Sequence, residues 1–413
     1  MRILVVSQYF WPENFRINDL TASLRKKGHE VTVLTGEPNY PDGDKFDFYL
    51  EDPDLYSYFH GCNIVRVPII PRGKGKLGLI LNYLSYFISA STIGLWKLRK
   101  ESFDVVFVCQ LSPVTVALPA ILYKKIYKKP IVMWVLDLWP ESLSSVGFVN
   151  SEKILNITGR LVSYIYNQCD QILAQSKSFM AAIKSSSKPD ANILYFPSWA
   201  ESVFDSENHP VNEETFDKQS FNILFAGNIG EAQDFPSILN AMELLKDKNI
   251  NITLNIVGDG RKLSWVKEEV YHRRLGDFIK FFGRFPLESM PSFYIQADAF
   301  LVALKDTPIF SMTIPGKVQS YMASGKPVLT MLGGETANVI KEANCGLAAP
   351  SGDFHALAKN IEKMFMMPEE ERIALGINGK NYSEKAFNRD IQISFLEKIL
   401  SNVKISKQIK SRL

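Results

Sequence analysis

The segment from Ile314 to Leu329, IPGKVQSYMASGKPVL, places a lysine at the start of a short predicted helix. The preceding Pro-Gly pair predicts a tight turn, Gly325 ends the helix, and an apolar strand begins at Pro327. The first turn of a helix exposes unpaired backbone N–H groups at the positive end of the helix dipole, so it can hold an anion. Lys317 adds a cation there, so a phosphate group is the expected ligand. The alternative is ordinary turn chemistry with a solvated lysine.

Asp137 is the second residue whose position suggests chemistry. It lies in WVLDLWPES, at the end of an apolar strand and between two tryptophans. A carboxylate is costly to bury at such a place unless it has a close partner or a function. We interpret Asp137 as a group that orients a substrate or accepts a proton. The alternative is that it caps the following helix.

Strand and helix patterns alternate along the chain, as in open parallel sheets covered by helices on both faces. An acidic, polar segment interrupts this alternation. We therefore predict an α/β protein with two doubly wound, Rossmann-like domains at 1–200 and 221–386, a linker at 201–220, and a C-terminal helical segment at 387–413. The apolar strands that support this prediction are Ile3–Ser7, Glu30–Gly36, Asn63–Ile69, Val105–Gln110, Ile131–Asp137, Gln171–Ser176, Asn192–Pro197, Asn222–Gly230, Asn251–Gly260, Ile279–Pro286, Ala299–Lys305 and Pro327–Leu332.

Composition excludes several classes of protein. A net charge of +3 over 413 residues does not suggest a nucleic-acid binder. The four cysteines are far apart, which favours free thiols over disulfides or metal ligation, and the scattered histidines predict no metal site. Neither domain has GxGxxG after its first strand, which argues against a dinucleotide oxidoreductase.

The stretch from Leu77 to Trp96 has no charged residue and is about long enough to span a bilayer. Its polar residues fall on one helical stripe, so we favour a helix packed on its domain or lying in a membrane interface. Basic clusters such as RGKGK and KKIYKK suit the anionic inner face of a cell membrane, although solvated helix ends have the same composition. A transmembrane helix is the less favoured alternative. With an N-terminus typical of a first strand, we expect a cytoplasmic protein attached peripherally to the inner membrane.

The string YMASGKPVL resembles the "EAMASG-PV" segment of family-4 retaining glycosyltransferases. The longer strings LVALKDTPIFSMTIPGKVQSYMASGKPVL, QYFWPE and LTGEPNYPDG resemble the branch of that family that builds bacterial surface polysaccharides. This resemblance implies the GT-B fold, in which two Rossmann-like domains face a cleft and the C-terminal helix crosses back to the first domain. It also implies retaining transfer without a metal or other cofactor.

Five positions depart from the family pattern. Asn228 occupies the position of an arginine that contacts the donor diphosphate, and Asp234 falls near that of a lysine. The family's two glutamates, which contact the donor ribose and sugar, align with Met312 and Ser320. Leu136 replaces the histidine of a His-Asp pair, while Asp137 matches the aspartate.

The resemblance implies which residues bind the two substrates. Lys317 and Asp137 are the predicted catalytic residues, Lys317 on the leaving diphosphate and Asp137 on the acceptor. Because the loop arginine is missing, other cations must meet the diphosphate charge, and Glu335 is the nearest carboxylate that would compensate for the missing pair. The predicted donor-binding residues are Arg16, Gly227, Asn228, Gly230, Gln233, Arg261, Arg284, Lys305, Ser320 and Glu335. The predicted acceptor-side residues are Glu13, Asn18, Trp139 and Glu141.

The branch resemblance implies a donor and an acceptor. The donor is a UDP-linked deoxyamino sugar such as N-acetyl-L-fucosamine, and the acceptor is a sugar on undecaprenyl diphosphate, in O-antigen or capsule synthesis. Two alternatives stay open at this point. A sugar-nucleotide epimerase shares the architecture and would need no acceptor, and a non-catalytic sugar-nucleotide binder would explain the missing glutamates.

Overall fold

A computed structural model describes residues 1–410 except 41, 42, 44, 45, 74, 146–148, 150, 206–214 and 249. The chain divides into two compact units, one comprising Met1–Pro197 with Asp390–Leu413 and the other Ser198–Arg389. Each unit contains its own sheet of parallel strands with helices between them. The predicted α/β fold class with two doubly wound domains is therefore confirmed.

The first unit has a sheet of eight strands among its described residues, in the order β3-β4-β2-β1-β5-β6-β7-β8. All neighbours pair in parallel except β3 and β4, which form an antiparallel pair. Its strands are Arg2–Val6 (β1), Glu30–Gly36 (β2), Tyr58–Phe59 (β3), Cys62–Val67 (β4), Val105–Gln110 (β5), Ile131–Val135 (β6), Gln171–Ala174 (β7) and Ile193–Tyr195 (β8). Its helices are Arg16–Lys26 (α1), Asp47–Glu51 (α2), Lys76–Ser89 (α3), Leu95–Lys97 (α4), Ala117–Tyr127 (α5), Glu141–Ser145 (α6), Glu152–Gln168 (α7) and Lys177–Ser185 (α8), with a π-helical turn at Ala90–Gly94 and 3₁₀ turns at Asp54–Ser57 and Val114–Val116.

The second unit has a sheet of six parallel strands among its described residues, in the order β11-β10-β9-β12-β13-β14. Its strands are Phe221–Ala226 (β9), Ile252–Val257 (β10), Ile279–Gly283 (β11), Ala299–Ala303 (β12), Val328–Met331 (β13) and Gly346–Ala349 (β14). Its helices are Phe235–Asp247 (α9), Leu263–His272 (α10), Met290–Tyr294 (α11), Pro308–Met312 (α12), Gly316–Ala323 (α13), Gly334–Ala343 (α14), Phe354–Met366 (α15) and Glu369–Ala386 (α16), with 3₁₀ turns at Ser202–Asp205, Glu231–Gln233 and Leu287–Ser289. The chain order reverses direction at β9, so the loops after β9, β10 and β12 gather at one point of the carboxyl edge.

Both faces of this second sheet are buried, because helices cover each of them. Along β9, Ile223 and Phe225 belong to one apolar cluster, whereas Leu224 and Ala226 belong to the cluster on the opposite face. A strand buried on both faces reads as a continuous apolar run, which is why the sequence FNILFA predicts it.

The C-terminal helix, Arg389–Lys410 (α17), packs on the first unit. Its Glu397 pairs with His29 at 2.9 Å and with Lys27 at 3.5 Å, and Lys404 pairs with Asp104 at 3.1 Å. The end of the chain therefore contributes to the same unit as its beginning.

Part of the predicted linker, 206–214, lies outside the described residues. The described residues on either side of it belong to the second unit, which begins at Ser198. Phe204, for example, stacks on Tyr294 with ring centroids 4.8 Å apart.

The apolar helix at Lys76–Lys97 is, among the described residues, the one long and apolar enough to cross a membrane, and 28% of its most apolar window is buried. Two residues of its polar stripe contact the protein: Asn82 Nδ2 donates to the Ile70 carbonyl at 2.7 Å, and Ser85 Oγ accepts from the Ile70 N–H at 2.9 Å. The opposite face exposes large apolar side chains, Leu77, Ile80, Leu84, Ile88 and Trp96. The helix is thus two-sided, with an apolar outer face.

Candidate functional site

The loop after β9, residues 227–234 (the glycine loop), is joined by backbone hydrogen bonds to the last residue of β10 and to the loop after it. The Gly227 N–H donates to the Val257 carbonyl at 2.9 Å, and the Ile229 N–H donates to the Asp259 carbonyl at 2.8 Å. The close approach requires glycine, because a Cβ on Gly258 (φ +149°) would overlap the Gly227 carbonyl oxygen. The two loops therefore form one fixed backbone wall at the carboxyl edge of the sheet.

Helix α13 brings Lys317 against this wall. Pro315 precedes the helix in an extended conformation, and Tyr321 fixes the helix to the end of β9. The Tyr321 hydroxyl donates to the Ala226 carbonyl at 3.2 Å and accepts from the Ala226 N–H at 2.8 Å. One turn earlier on the helix, Lys317 Nζ lies 4.0 Å from the centre of the Phe225 ring. A Cβ on Gly227 would lie only 3.1 Å from that nitrogen, so the lysine and the loop share one small space.

The electrostatics of Lys317 are unusual for a lysine. Burial of its amine lowers the pKa from 10.5 to about 7, although part of the residue is exposed. Within the described part of the chain, no carboxylate or carbonyl accepts a hydrogen bond from Nζ, and its contact is the face of an aromatic ring. An anion arriving here would gain a charged partner and would raise the pKa of the amine again.

The polar side chains of the glycine loop are engaged with the loop itself. Gln233 Oε1 accepts from the Gly230 N–H at 3.0 Å and from Asn228 Nδ2 at 3.5 Å. Asn228 is exposed. The structure thus brings Gly227, Gly230, Asn228 and Gln233 together, and Gln233 stabilises the conformation of the loop.

Among the other predicted cations, Lys305 lies beside the same loop. Its backbone N–H donates to the Ala232 carbonyl at 2.9 Å, and its amine is paired with Glu231. Lys262 pairs with the same carboxylate at 2.8 Å, and hydrogen bonds from Lys262 and Lys305 lower the pKa of Glu231 to about 2. Arg261 and Arg284 follow β10 and β11 and are exposed.

Ser320 makes a contact that the sequence does not predict. Its hydroxyl donates to Glu201 Oε2 at 2.8 Å, so a carboxylate from the start of the second unit lies at this position. Glu335, the predicted compensating carboxylate, is buried in the first turn of α14. Its neighbour Thr336 donates to the Thr313 carbonyl at 2.9 Å, which ties α14 to the segment before α13.

Asp137 in the first unit is held by several donors. Ser142 Oγ donates to Oδ1, and Trp139 Nε1 lies 3.1 Å both from Oδ2 and from Ser112 Oγ. Burial raises the pKa of Asp137, while the hydrogen bonds from Ser142, Trp139 and Ser112 act in the opposite direction. Its side-chain partners are Ser112 in the loop after β5, Trp139 in the loop after β6 and Ser142 in α6, so Asp137 ties these three segments together.

The residues predicted near the start of the first unit have mainly backbone partners. Glu13 is 3% exposed and accepts from the backbone N–H groups of Phe10, Asn39 and Tyr40 at 3.1, 2.9 and 2.8 Å. Burial raises its pKa to about 7 in spite of these bonds. Asn18 Nδ2 donates to the Glu13 carbonyl at 2.7 Å. Arg16 and Glu141 begin α1 and α6. Glu13 and Asn18 therefore brace the loop after β1.

Sequence reasoning missed four residues of the second-unit site: Phe225, Tyr321, Gly258 and Glu201. A signal existed for Gly258, because GDG directly follows an apolar strand. The other three act through contacts between distant parts of the chain, which no local pattern indicates.

Two family models match this chain, and together they cover most of it. Residues 207–382 match the family "Glycosyl transferases group 1", and residues 15–195 match "Glycosyltransferase Family 4". Each match covers less than half of the chain and lies mostly within one of the two units. The protein therefore carries the two domains of a glycosyltransferase.

Two curated relatives are similar in sequence. "Probable glycosyltransferase WbjE" of Pseudomonas aeruginosa is 28% identical over 246 residues, which cover 56% of this chain and 59% of that protein. "Putative colanic acid biosynthesis glycosyl transferase WcaI" of Escherichia coli is 23% identical over 94% of this chain and 97% of that protein. Among solved structures, Anabaena HepE in complex with UDP and glucose has a TM-score of 0.69 at 13% identity, covering 97% of this chain and all of that one. That likeness supports the GT-B fold.

Proposed function

We propose that this protein, a glycosyltransferase by its two domains, moves a sugar from a UDP-sugar to an acceptor during assembly of a bacterial surface polysaccharide. The main support for the proposal is the position of Lys317, which faces the glycine loop and has a lowered pKa. A buried amine without an anionic partner is costly for the fold, and a nucleotide diphosphate supplies that partner. The name of the Escherichia coli relative, a putative colanic acid biosynthesis glycosyl transferase, supports the biological setting.

We assign stabilisation of the leaving group to Lys317. In transfer with retention, the bond from the sugar's anomeric carbon to the diphosphate oxygen breaks as the acceptor oxygen bonds to the same face. The acceptor's proton passes to the departing diphosphate, so no metal and no protein nucleophile is required. The diphosphate gains charge in the transition state, and a cation fixed beside it lowers the barrier. Arg284, Lys305 and Arg16 are proposed as further cations for the donor.

We assign orientation of the acceptor hydroxyl to Asp137. Its carboxylate is fixed by Ser142 and Trp139, and its pKa is raised by burial, both of which suit a group that accepts a hydrogen bond from an alcohol. Trp139 lies in the same loop, and Glu141 begins α6 just after it. The loop braced by Glu13 and Asn18 is proposed to complete the acceptor side of this unit.

The proposed acceptor is a sugar on undecaprenyl diphosphate, and the outer face of the apolar helix supports this choice. Leu77, Leu84, Ile88 and Trp96 are between 46% and 69% exposed, which is costly in water and favourable in a membrane interface. The exposed cations Lys97, Arg99 and Lys100 follow directly and suit anionic lipid. We propose peripheral attachment to the inner face of the membrane, and this arrangement supports it. N-acetyl-L-fucosamine is the proposed donor sugar.

A panel of UDP-sugars incubated with the purified protein and lipid-linked acceptors tests the function. We expect product with one donor and one acceptor. The product should retain the anomeric configuration of the donor, and EDTA should not reduce its amount. Conversion of a UDP-sugar without acceptor would instead identify an epimerase. Binding of UDP without any transfer across the panel would identify a non-catalytic binder.

A further inference from the structure

Arg72 is the first residue of the basic cluster RGKGK, and the structure fixes it beside the loop after β2. Its backbone N–H donates at 3.1 Å to Oδ1 of Asn39, a residue that is 1% exposed. Its guanidinium carbon lies 5.1 Å from the centre of the Tyr40 ring. In the described part of the chain, no carboxylate pairs with this half-buried arginine. Stacking uses the face of the guanidinium, so the N–H groups along its edge can bind an anion.

Tyr83 of α3 connects Arg72 to the loop that carries Asp137. Its ring centre lies 6.3 Å from that of Trp139, whose Nε1 lies 3.1 Å from Asp137 Oδ2. Burial raises the pKa of Tyr83, the charge of Arg72 lowers it, and the charge of Asp137 raises it. Both charges therefore lie close enough to act on the Tyr83 hydroxyl. Arg72 and Asp137 thus belong to one site of the first unit, together with two aromatic side chains.

The apolar helix α3 begins at Lys76, the last residue of the same basic cluster. Leu77 and Ile80 are its first exposed apolar side chains. The first unit therefore presents a carboxylate, two aromatic rings, a cation and an apolar face in neighbouring positions. A sugar on a lipid diphosphate presents its groups in the order hydroxyl, sugar ring, diphosphate and lipid. The function proposed above gives partners to the hydroxyl and to the lipid, but it gives none to the charge of the diphosphate.

We propose that Arg72 binds the diphosphate of the lipid-linked acceptor. A guanidinium group is a planar fork of N–H donors that matches two phosphate oxygens at once, and it stays charged at every physiological pH. The Tyr40 ring and Asn39 hold this fork in place before the acceptor arrives. The inference rests on the proposed function, because it takes the acceptor to be a lipid diphosphate. It adds a residue that distinguishes this acceptor from a neutral glycolipid.

Binding of the protein to vesicles tests the proposal. Phosphatidylcholine vesicles that contain undecaprenyl diphosphate are compared by sedimentation with phosphatidylcholine vesicles that contain phosphatidylglycerol, adjusted to the same zeta potential. The wild-type protein is expected to bind the undecaprenyl diphosphate vesicles about 10- to 100-fold more tightly, since hydrogen bonds between charged groups contribute on that order. Arg72→Gln should lose most of this preference. Arg72→Lys should keep part of it, because lysine retains the charge but not the fork.

Arg160→Gln, which replaces an exposed arginine on α7, is the matched control and should keep the full preference. Equal binding of the two kinds of vesicle by the wild-type protein would show attraction to membrane charge only and would overturn the role of Arg72. An undiminished preference in Arg72→Gln would overturn it as well. The wild-type comparison needs no variant, so the test stands even if Arg72→Gln does not fold.

The vesicle experiment contains no donor and measures no transfer, so its outcome is separate from that of the proposed function. Transfer to a lipid-linked acceptor together with equal vesicle binding would overturn the role of Arg72 and leave the glycosyltransferase intact. A preference that Arg72→Gln loses would support the diphosphate site, even if no sugar in the donor panel were transferred.

Discussion

Replacing Lys317 by methionine should make the protein without nucleotide more stable. Methionine fills a similar volume and packs against the Phe225 ring, but it carries no charge into the buried space. The lysine keeps its proton only at a cost, because its pKa falls from 10.5 to about 7 in the folded protein. Each pH unit of that difference corresponds to about 1.4 kcal/mol, so the cost is on the order of 5 kcal/mol at low pH.

The pH dependence of this cost has a definite sign. Between about pH 7 and 10.5 the unfolded chain holds the proton on Lys317 and the folded protein does not, so stability rises with pH in this window. Below about pH 7 both states are charged and the full cost is present. The advantage of Lys317→Met should therefore be largest at and below pH 7 and fall to about 1–2 kcal/mol near pH 9.5.

Urea denaturation of the second-unit transition at pH 7 and pH 9.5, with and without UDP, measures both effects. UDP should stabilise the wild-type protein by binding its folded form, whereas Lys317→Met should gain little from UDP and transfer little sugar. Lys341→Met, an exposed lysine on α14, is the matched control and should change none of these quantities. A variant that is less stable than wild type at pH 7, or one that UDP still stabilises fully, would refute the reasoning.

Two further predictions concern the first unit. Asp137→Asn should lower transfer by about 100-fold or more while UDP binding stays within error, because the charge of the group that we propose to orient the acceptor is lost; near-normal transfer would leave Asp137 a purely structural role. Washing membranes at high salt or alkaline pH should release most of the protein, since the apolar helix is bound to its own unit through polar residues such as Asn82 and Ser85; release by detergent alone would favour a transmembrane helix.

The parts of this fold that the sequence predicts are those with local causes. Helix α13 lies at Gly316–Ala323, between the Pro-Gly turn and Gly325, whose φ of +75° suits a glycine after a helix end. The strands buried on both faces are continuous apolar runs, and these were predicted as strands. The edge strand β14, GLAA, was not, because it contains no β-branched or aromatic residue and so carries no strand pattern.

The surroundings of Lys317 and Ser320 could not be predicted from the sequence, because they are formed by residues far apart in the chain. The Tyr321 hydroxyl and the Ala226 backbone are 95 residues apart in the chain, and Glu201 and Ser320 are 119 apart. Local patterns identify Lys317 as a residue beside a helix start, but its lowered pKa depends on Phe225 and the glycine loop that bury it. The polar composition around Glu201 suggested a linker, although this residue packs with the second unit.

Where the sequence departs from the family pattern, other segments of the chain supply a charge near the same position. A sequence alignment does not reveal this. With Asn228 in place of the family's arginine, the glycine loop lacks a cation at that position. Lys317, from helix α13, lies beside Gly227 of the same loop. Ser320 stands where a carboxylate is expected, and Glu201 brings one to its hydroxyl from another segment. Electrostatic stabilisation depends on the distance between a charge and its ligand. It does not depend on which segment of the chain supplies that charge. Because each charge reaches its position from elsewhere in the chain, the missing motif residues do not argue against transfer.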